Sequence, residues 1–357
     1  MTQKRIHYFD LAKGIGIILV VIGHLESISL PMRHFIVSFH MPLFFIISGM
    51  LLQITKEESK DMKTVLKKKF RHMMVPYISF SILYFFIDVI HFLLTAKGSW
   101  SAIWDNVYYC VCLYGVSTLW FLPAIFFGEI MFLFIRKHFS LAATVGIILA
   151  LNILMYFANN GEQYLYALYS ETLLYSYLHY FFAMFLRCFF SMAFIAIGYC
   201  ISWCIKDRNV SPLWESLLGI LFLGITVYVS QINGVVDLHF LVFNNIFLYF
   251  TTSVLGSLGV ISLCRSLEGF SSVIPFRIIE YYGRNSLTVM ATHINFYILR
   301  ISLFIPMYFQ STAAHKNFFF YAGILVQVFL LEYFIIEIIN RFFPFLLGRP
   351  LLKDSKS

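Results

Sequence analysis

Ten stretches of roughly 20 mostly apolar residues run through the chain, and they constrain its fold more than any other feature. A helix that crosses a bilayer needs this length, because every backbone polar group must be satisfied inside the lipid. Charged residues make up only 12% of the 357 residues, too few to cover a water-facing surface. We therefore predict an all-α polytopic membrane protein of about ten transmembrane helices, at 11–30, 35–53, 75–95, 118–135, 141–158, 181–204, 213–230, 240–263, 285–309 and 318–343.

The Lys and Arg residues between these spans are distributed very unevenly between the two sides of the membrane. Of the 26 in the chain, 20 fall on one side and only Arg33, Lys97 and Lys316 on the other. The remaining three, Lys13, Arg187 and Arg300, lie within the spans. Because cytoplasmic loops carry the excess of basic residues, both termini are predicted to be cytoplasmic. The net charge of +8 then reflects topology and contact with anionic membrane lipids, and nucleic acid is not an expected partner.

No stretch between the apolar runs is long enough to form a soluble domain, so we expect a single membrane domain over residues 1–357. The six cysteines mostly lie inside apolar segments and lack the second pair or the histidines that a zinc site needs. We expect them to be packing residues, and we expect no metal.

Three ionisable residues share one face of the first span. Lys13 and His24 are separated by 11 residues and therefore point in directions that differ by only about 20°. Asp10 lies about 40° to the other side, and the axial rise from Lys13 to His24 is about 16 Å. Charged residues inside a bilayer are costly, so this stripe of ionisable groups is a candidate functional site.

The second span contributes another histidine close to its outer end. His40 precedes Pro42, and an antiparallel arrangement of the two spans would bring it to a depth similar to that of His24. Two histidines at matching depth favour a site, although a single buried histidine is more often a structural residue. His293 in the ninth span and Glu332 in the tenth are weaker candidates, because each could equally form a structural hydrogen bond between helices.

Several short motifs occur in one order along nearly the whole chain. The sequence resembles the acyltransferase 3 family of bacterial membrane acyltransferases, in its fucose 4-O-acetylase-like branch, through Arg5 with Phe9-Asp10-x-x-Lys13-Gly14 and His24, Phe39-His40-Met41-Pro42-Leu43-Phe44-Phe45 with Ser48-Gly49, Arg71 with Pro76-Tyr77, Leu119-Trp120-Phe121-Leu122-Pro123-Ala124, and Gly283-x-Asn285-Ser286-Leu287 with His293. The resemblance implies a protein of the bacterial plasma membrane that transfers an acyl group, usually acetyl from acetyl-CoA, to a sugar hydroxyl of an envelope or exported glycan.

The resemblance also suggests roles for individual residues. His24 matches the essential histidine and is expected to be the general base, with His40 orienting it or assisting the oxyanion. Lys13, where many relatives have an arginine, would bind the phosphates of cytoplasmic acetyl-CoA. The other expected cofactor-binding residues are Arg5, Lys68 and Arg71, and the expected supporting residues are Asp10, His293, Glu332, Trp120 and Asn285.

Two other classes of protein stay open. A proton-coupled transporter or flippase of a sugar or sugar-lipid could use His24, His40 and Glu332 as a proton path. Such transporters usually contain inverted halves with matching broken helices, and the second half of this chain lacks partners for the Gly- and Pro-marked spans. A purely structural assembly subunit would leave the stripe of Lys13 and His24 unexplained.

Overall fold

The computed structural model describes residues 6–25, 28–95, 99–170, 172–205, 210–309 and 318–350. Most of these residues are helical, which confirms the all-α prediction. The α-helices are α1 (His7–Gly23), α2 (Leu30–Val37), α3 (His40–Ile54), α4 (Met62–Lys69), α5 (Val75–Thr95), α6 (Trp100–Val111), α7 (Phe121–His138), α8 (Leu141–Tyr169), α9 (Leu173–Ile205), α10 (Pro212–Asn233), α11 (Ile246–Ser266), α12 (Ile274–Arg284), α13 (Ser286–Thr292), α14 (Ile298–Phe309) and α15 (Phe318–Phe342).

Eight helical segments within the described residues are long and apolar enough to cross a membrane, and the protein is polytopic. They are Leu30–Ile54, Met62–Thr95, Ser117–His138, Leu141–Tyr169, Tyr177–Cys204, Pro212–Asn233, Ile246–Ser266 and Phe320–Phe342. The other two predicted spans are either short or interrupted. The first is the 17-residue helix α1, and the ninth is divided between α13 and α14. The cytoplasmic position of both termini stays a prediction.

The first turn of the chain comes earlier than the apolar pattern indicates. Leu30, which the sequence places at the end of the first span, begins α2 instead. Ser29 at the N-cap position has extended dihedral angles, and Pro31 occupies the first turn of α2, where its missing N–H costs no hydrogen bond. His24 therefore lies directly after the last residue of α1.

The chain divides into two compact units. Unit 1 comprises Met1–Leu66 and Ala124–Ser286, and unit 2 comprises Lys67–Pro123 and Leu287–Ser357. In unit 1, α3 and α9 cross so closely that a Cβ at Gly49 would lie 1.9 Å from the carbonyl oxygen of Ile195. Gly198 makes the reciprocal approach, 2.0 Å from the oxygen of Ile46. Small residues at a helix crossing permit this backbone contact.

The helix α1 is held in unit 1 by contacts on two sides. A Cβ at Gly14 would lie 2.1 Å from the carbonyl oxygen of Ile279, and one at Gly283 would lie 1.9 Å from that of Asp10, so α1 and α12 touch backbone to backbone. On its other side, Gly16 faces the ring of Phe44 in α3. These contacts fix both the position of α1 and its rotation about its own axis.

Within unit 2, hydrogen bonds from side chains to backbone carbonyls connect α5 and the turn before α7 to α13. Tyr84 of α5 donates to Ala291, and Thr118 donates to Met290 at 2.6 Å. Both acceptors belong to α13, whose helix stops at Thr292. A turn separates α13 from α14, and Tyr297 within it has a φ of 58°. This break lies inside the predicted ninth span.

Candidate functional site

The site is centred on His24, which follows the last turn of α1. Its Nδ1 lies 2.9 Å from the carbonyl oxygen of Val20, one helical turn earlier. The residue is exposed, whereas Val21 and Leu25 on either side of it are buried. The turn thus presents one polar ring at the end of an apolar helix.

His40 makes the same kind of contact at the start of α3. Its Nδ1 lies 2.8 Å from the carbonyl oxygen of Ile36, and the residue is half-buried. Ile36 also faces the end of α1, since a Cβ at Gly23 would lie 3.4 Å from its Cγ2. Together with the contact between Gly16 and Phe44, this shows that α1 runs antiparallel to the α2–α3 segment. The structure therefore brings His24 and His40 together, close enough to interact electrostatically.

The hydrogen bonds determine which nitrogen of each ring can accept a proton. A carbonyl oxygen only accepts, so Nδ1 of His24 and Nδ1 of His40 must each carry the proton and donate it. In a neutral imidazole the lone pair then resides on Nε2. Both rings are held in the tautomer that a general base acting through Nε2 requires.

A third histidine, His239, approaches the same end of unit 1 from the loop between α10 and α11. The loop is closed by two hydrogen bonds between the backbones of Asp237 and Val242, at 2.8 and 2.9 Å. A carboxylate oxygen of Asp237 accepts the N–H of His239 at 2.7 Å and that of Phe240 at 3.3 Å. This is the side-chain turn that aspartate favours, and it gives the loop a defined shape.

The helices α8 and α9 hold this loop in place. Nε of Arg187, a residue only 1% exposed, donates to the carbonyl oxygen of His239 at 2.8 Å, and its Nη2 donates to the same oxygen. From α8, the amides of Asn159 and Gln163 both donate to the carbonyl oxygen of Leu241 at 3.1 Å. The buried guanidinium of Arg187 thus stabilises the conformation of the loop.

The loop also places His239 within electrostatic reach of His24. Burial is the main cause that lowers the pKa of His239 to about 2, and the positive charges of Arg187 and of protonated His24 contribute to this shift. Burial raises the pKa of Asp237, which the two N–H groups that it accepts partly oppose. His239 is consequently neutral at physiological pH, and it adds an uncharged ring beside His24.

The other predicted residues of unit 1 lie along α1 and at its contact with α12. Lys13 is half-buried on α1, and Asp10 is buried where α1 meets Gly283. Asn285 follows α12 and donates its side-chain amide to Tyr281 at 2.9 Å. By the helical rise, Lys13 lies about 16 Å and Asp10 about 21 Å from His24. Asn285 lies near the Asp10 end of α1, two residues after Gly283.

The remaining predicted residues belong to unit 2 or lie outside the described residues. Lys68 is in α4, and Nε of Arg71 donates to the carbonyl oxygen of Gly348 at 2.6 Å. Trp120 is buried in the turn before α7. Arg5 lies outside the described residues. A joint phosphate-binding role for Lys13, Lys68 and Arg71 accordingly stays a prediction.

His293 and Glu332 of unit 2 are both fully buried. Nδ1 of His293 donates to Val289 at 2.7 Å. Thr292 donates its hydroxyl to the two carboxylate oxygens of Glu332 at distances of 3.0 and 2.8 Å, which joins α13 to α15. This hydrogen bond between helices is the structural alternative that the sequence left open for Glu332.

Sequence reasoning did not include His239, Asp237 or Arg187 among the site residues. Asp237 and His239 lie in a loop of ordinary composition, where isolated polar residues are unremarkable. Arg187 is a charge inside an apolar run of the sequence, and a buried charge requires a partner. That signal could have predicted a bonded arginine but not the loop carbonyl that it holds.

A protein-family model matches most of the chain. The model of the acyltransferase 3 family, described as an acyltransferase domain, matches residues 6–337. The match spans His24, His40, Lys13 and the loop of His239. No curated protein and no solved structure matches the chain significantly.

Proposed function

The chain belongs to the acyltransferase 3 family, and we propose that this membrane acyltransferase transfers acetyl from cytoplasmic acetyl-CoA to a sugar hydroxyl of a cell-envelope or exported glycan, with His24 as the general base. The bacterial plasma membrane is the compartment that such a reaction implies. The fucose 4-O-acetylase-like branch is part of the same proposal.

One observation supports the role of His24 above the others. Its ring is accessible, and the hydrogen bond from Nδ1 to Val20 leaves Nε2 as the proton acceptor. A hydroxyl group is a poor nucleophile until its proton is removed, and an imidazole is suited to that task near neutral pH. His40, held in the same tautomer, would orient the acceptor or share the proton.

The proposed step conserves atoms and charge. As Nε2 of His24 takes the proton of the sugar hydroxyl, the hydroxyl oxygen attacks the carbonyl carbon of the acetyl thioester. The tetrahedral intermediate collapses, its carbon–sulfur bond breaks, and the thiolate of coenzyme A leaves. The proton on His24 then passes to that thiolate, so the products are an acetylated sugar and free coenzyme A.

The two ends of α1 would serve the two substrates. Lys13 lies towards the start of the helix, where a cation would bind the phosphates of the donor, and Arg5, Lys68 and Arg71 are further candidates for that task. The donor's flexible arm would then extend about 16 Å to the reacting group at His24. With the predicted orientation, the acceptor would reach His24 from the outer side, and coenzyme A would stay in the cytoplasm.

The test uses purified full-length protein in phospholipid nanodiscs with labelled acetyl-CoA. We expect the intact protein to release free thiol and to transfer label to a glycan acceptor, and we expect His24→Ala to lose this activity. His138→Ala is the matched control, because His138 is also exposed and its Nδ1 donates to Phe134 at 2.7 Å. Equal thiol release by the His24→Ala variant would contradict the proposal. Proton-coupled sugar uptake without acetyl-CoA would instead support a transporter.

A further inference from the structure

Arg33, on α2, lies close to the turn that carries His24. Its Nη2 is 3.5 Å from the carbonyl oxygen of Leu25, the residue after His24, and its charge acts on the imidazole of His24. This distance is at the long limit for a hydrogen bond. The contact therefore locates the guanidinium beside the turn but is too weak to satisfy its N–H donors.

The guanidinium of Arg33 has unused hydrogen-bonding capacity. Its Nε is buried and has no acceptor among the described residues, and none of the ion pairs within that part of the chain involves Arg33. In contrast, Nε and Nη2 of Arg187 both donate to the carbonyl oxygen of His239. Buried donors are nearly always satisfied, by protein, by water or by a ligand.

The position of Arg33 connects it with the acceptor and not with the donor's phosphates. It lies at the His24 end of α1, and Lys13 lies about 16 Å away along that helix. A guanidinium presents a planar fork of N–H donors that matches a carboxylate or a phosphate. A neutral hydroxyl would leave this charge uncompensated.

We propose that Arg33 binds an anionic group, a carboxylate or a phosphate, on the acceptor sugar and thereby holds a neighbouring hydroxyl against Nε2 of His24. This inference rests on the proposed function and deepens it, because it assigns the acceptor to the acidic or phosphorylated sugars. Arg33 is then a specificity-determining residue, and His24 remains the base.

The experiment compares three acceptors in nanodiscs of neutral lipid: glucuronate, glucose 1-phosphate and methyl glucoside. We expect kcat/KM to be about 10- to 100-fold higher for at least one anionic sugar than for the neutral one, the size that a hydrogen bond to a charged group gives. Arg33→Gln should bring this ratio close to one, and Arg33→Lys should retain part of it. Arg300→Gln is the matched control, since Arg300 is exposed and stacks on Tyr297 in unit 2.

Binding of the same sugars, measured by calorimetry without acetyl-CoA, keeps the inference testable if turnover is absent. If none of the three sugars causes thiol release from acetyl-CoA, that result would count against the proposed function. Weaker binding of an anionic sugar by Arg33→Gln would still support the subsite. Equal binding and equal kcat/KM for charged and neutral sugars in the unaltered protein would overturn the inference alone.

Three further results would also overturn it. An equal fall in kcat for every acceptor would mean that Arg33 stabilises the oxyanion. A loss that appears only in anionic lipid would assign the guanidinium to a lipid headgroup. Glu26 is the acidic residue that follows Leu25 in the sequence. If Glu26→Gln reproduced the loss, Arg33 would serve only to pair with that carboxylate.

Discussion

His24 in unit 1 and His293 in unit 2 have the same local geometry in opposite surroundings. Each ring donates from Nδ1 to the carbonyl oxygen four residues earlier, at 2.9 Å for His24 and 2.7 Å for His293. His24 is exposed at the end of α1, whereas His293 is fully buried after α13. The helix therefore fixes the tautomer of each ring, while its ability to act as a base depends on whether a substrate can reach Nε2.

The largest expected difference is in catalysis. Replacing His24 by Gln should reduce kcat about 100- to 10,000-fold, the usual contribution of a general base, with little change in thermal stability. His293→Gln should reduce kcat only slightly and should lower the melting temperature instead, because it changes a fully buried side chain. Steady-state thiol release and thermal unfolding of both variants make the comparison.

The opposite outcome would be informative. If His293→Gln lost as much kcat as His24→Gln while remaining equally stable, burial in this structure would be a poor guide to which ring reacts.

A smaller effect is expected at the loop beside His24. Arg187→Ala removes the donors that hold the carbonyl of His239. We expect the free energy of unfolding to fall by roughly 1.5–3 kcal/mol, the range for hydrogen bonds to charged groups. Activity should fall with it, because the loop loses its support. Arg341→Ala, which removes an exposed guanidinium, should change stability by less than about 0.5 kcal/mol. Equal stability of the two variants would contradict the supporting role of Arg187.

The smallest expected effect concerns Asp237 in the same loop. Asp237→Ala removes the acceptor of two N–H groups and should lower the free energy of unfolding by about 1 kcal/mol, whereas Asp237→Asn keeps an acceptor.

Burial raises the pKa of Asp237 above its ordinary value of 3.8. Protonation of this carboxyl therefore stabilises the fold at low pH, and the contribution is lost as pH rises through the raised pKa. Asp237→Asn should therefore gain stability relative to the native protein as pH rises from about 4. Chemical unfolding at several pH values would detect this, and parallel pH profiles would contradict it.

Much of the fold could be predicted from the sequence, since runs of about 20 apolar residues have few alternatives to membrane helices. The break between Thr292 and Ile298 could not be predicted, because it holds only two strongly polar residues, His293 and Asn295, and neither Pro nor Gly marks it. The proximity of His24 and His40 follows from two neighbouring antiparallel helices. The approach of His239 depends on how α8, α9 and the loop pack, and such long-range contacts leave no periodic signal.

The two backbone contacts between α1 and α12 fix the position of α1 against α12. With Gly14 against Ile279 and Gly283 against Asp10, neither helix can slide or turn unless the other yields. The rise of about 16 Å from Lys13 to His24 is set by α1 itself, and these contacts hold that helix in place. Under the proposed function, a donor bound at Lys13 would be selected by the length of its arm, because an arm shorter than this distance would not reach the imidazole of His24.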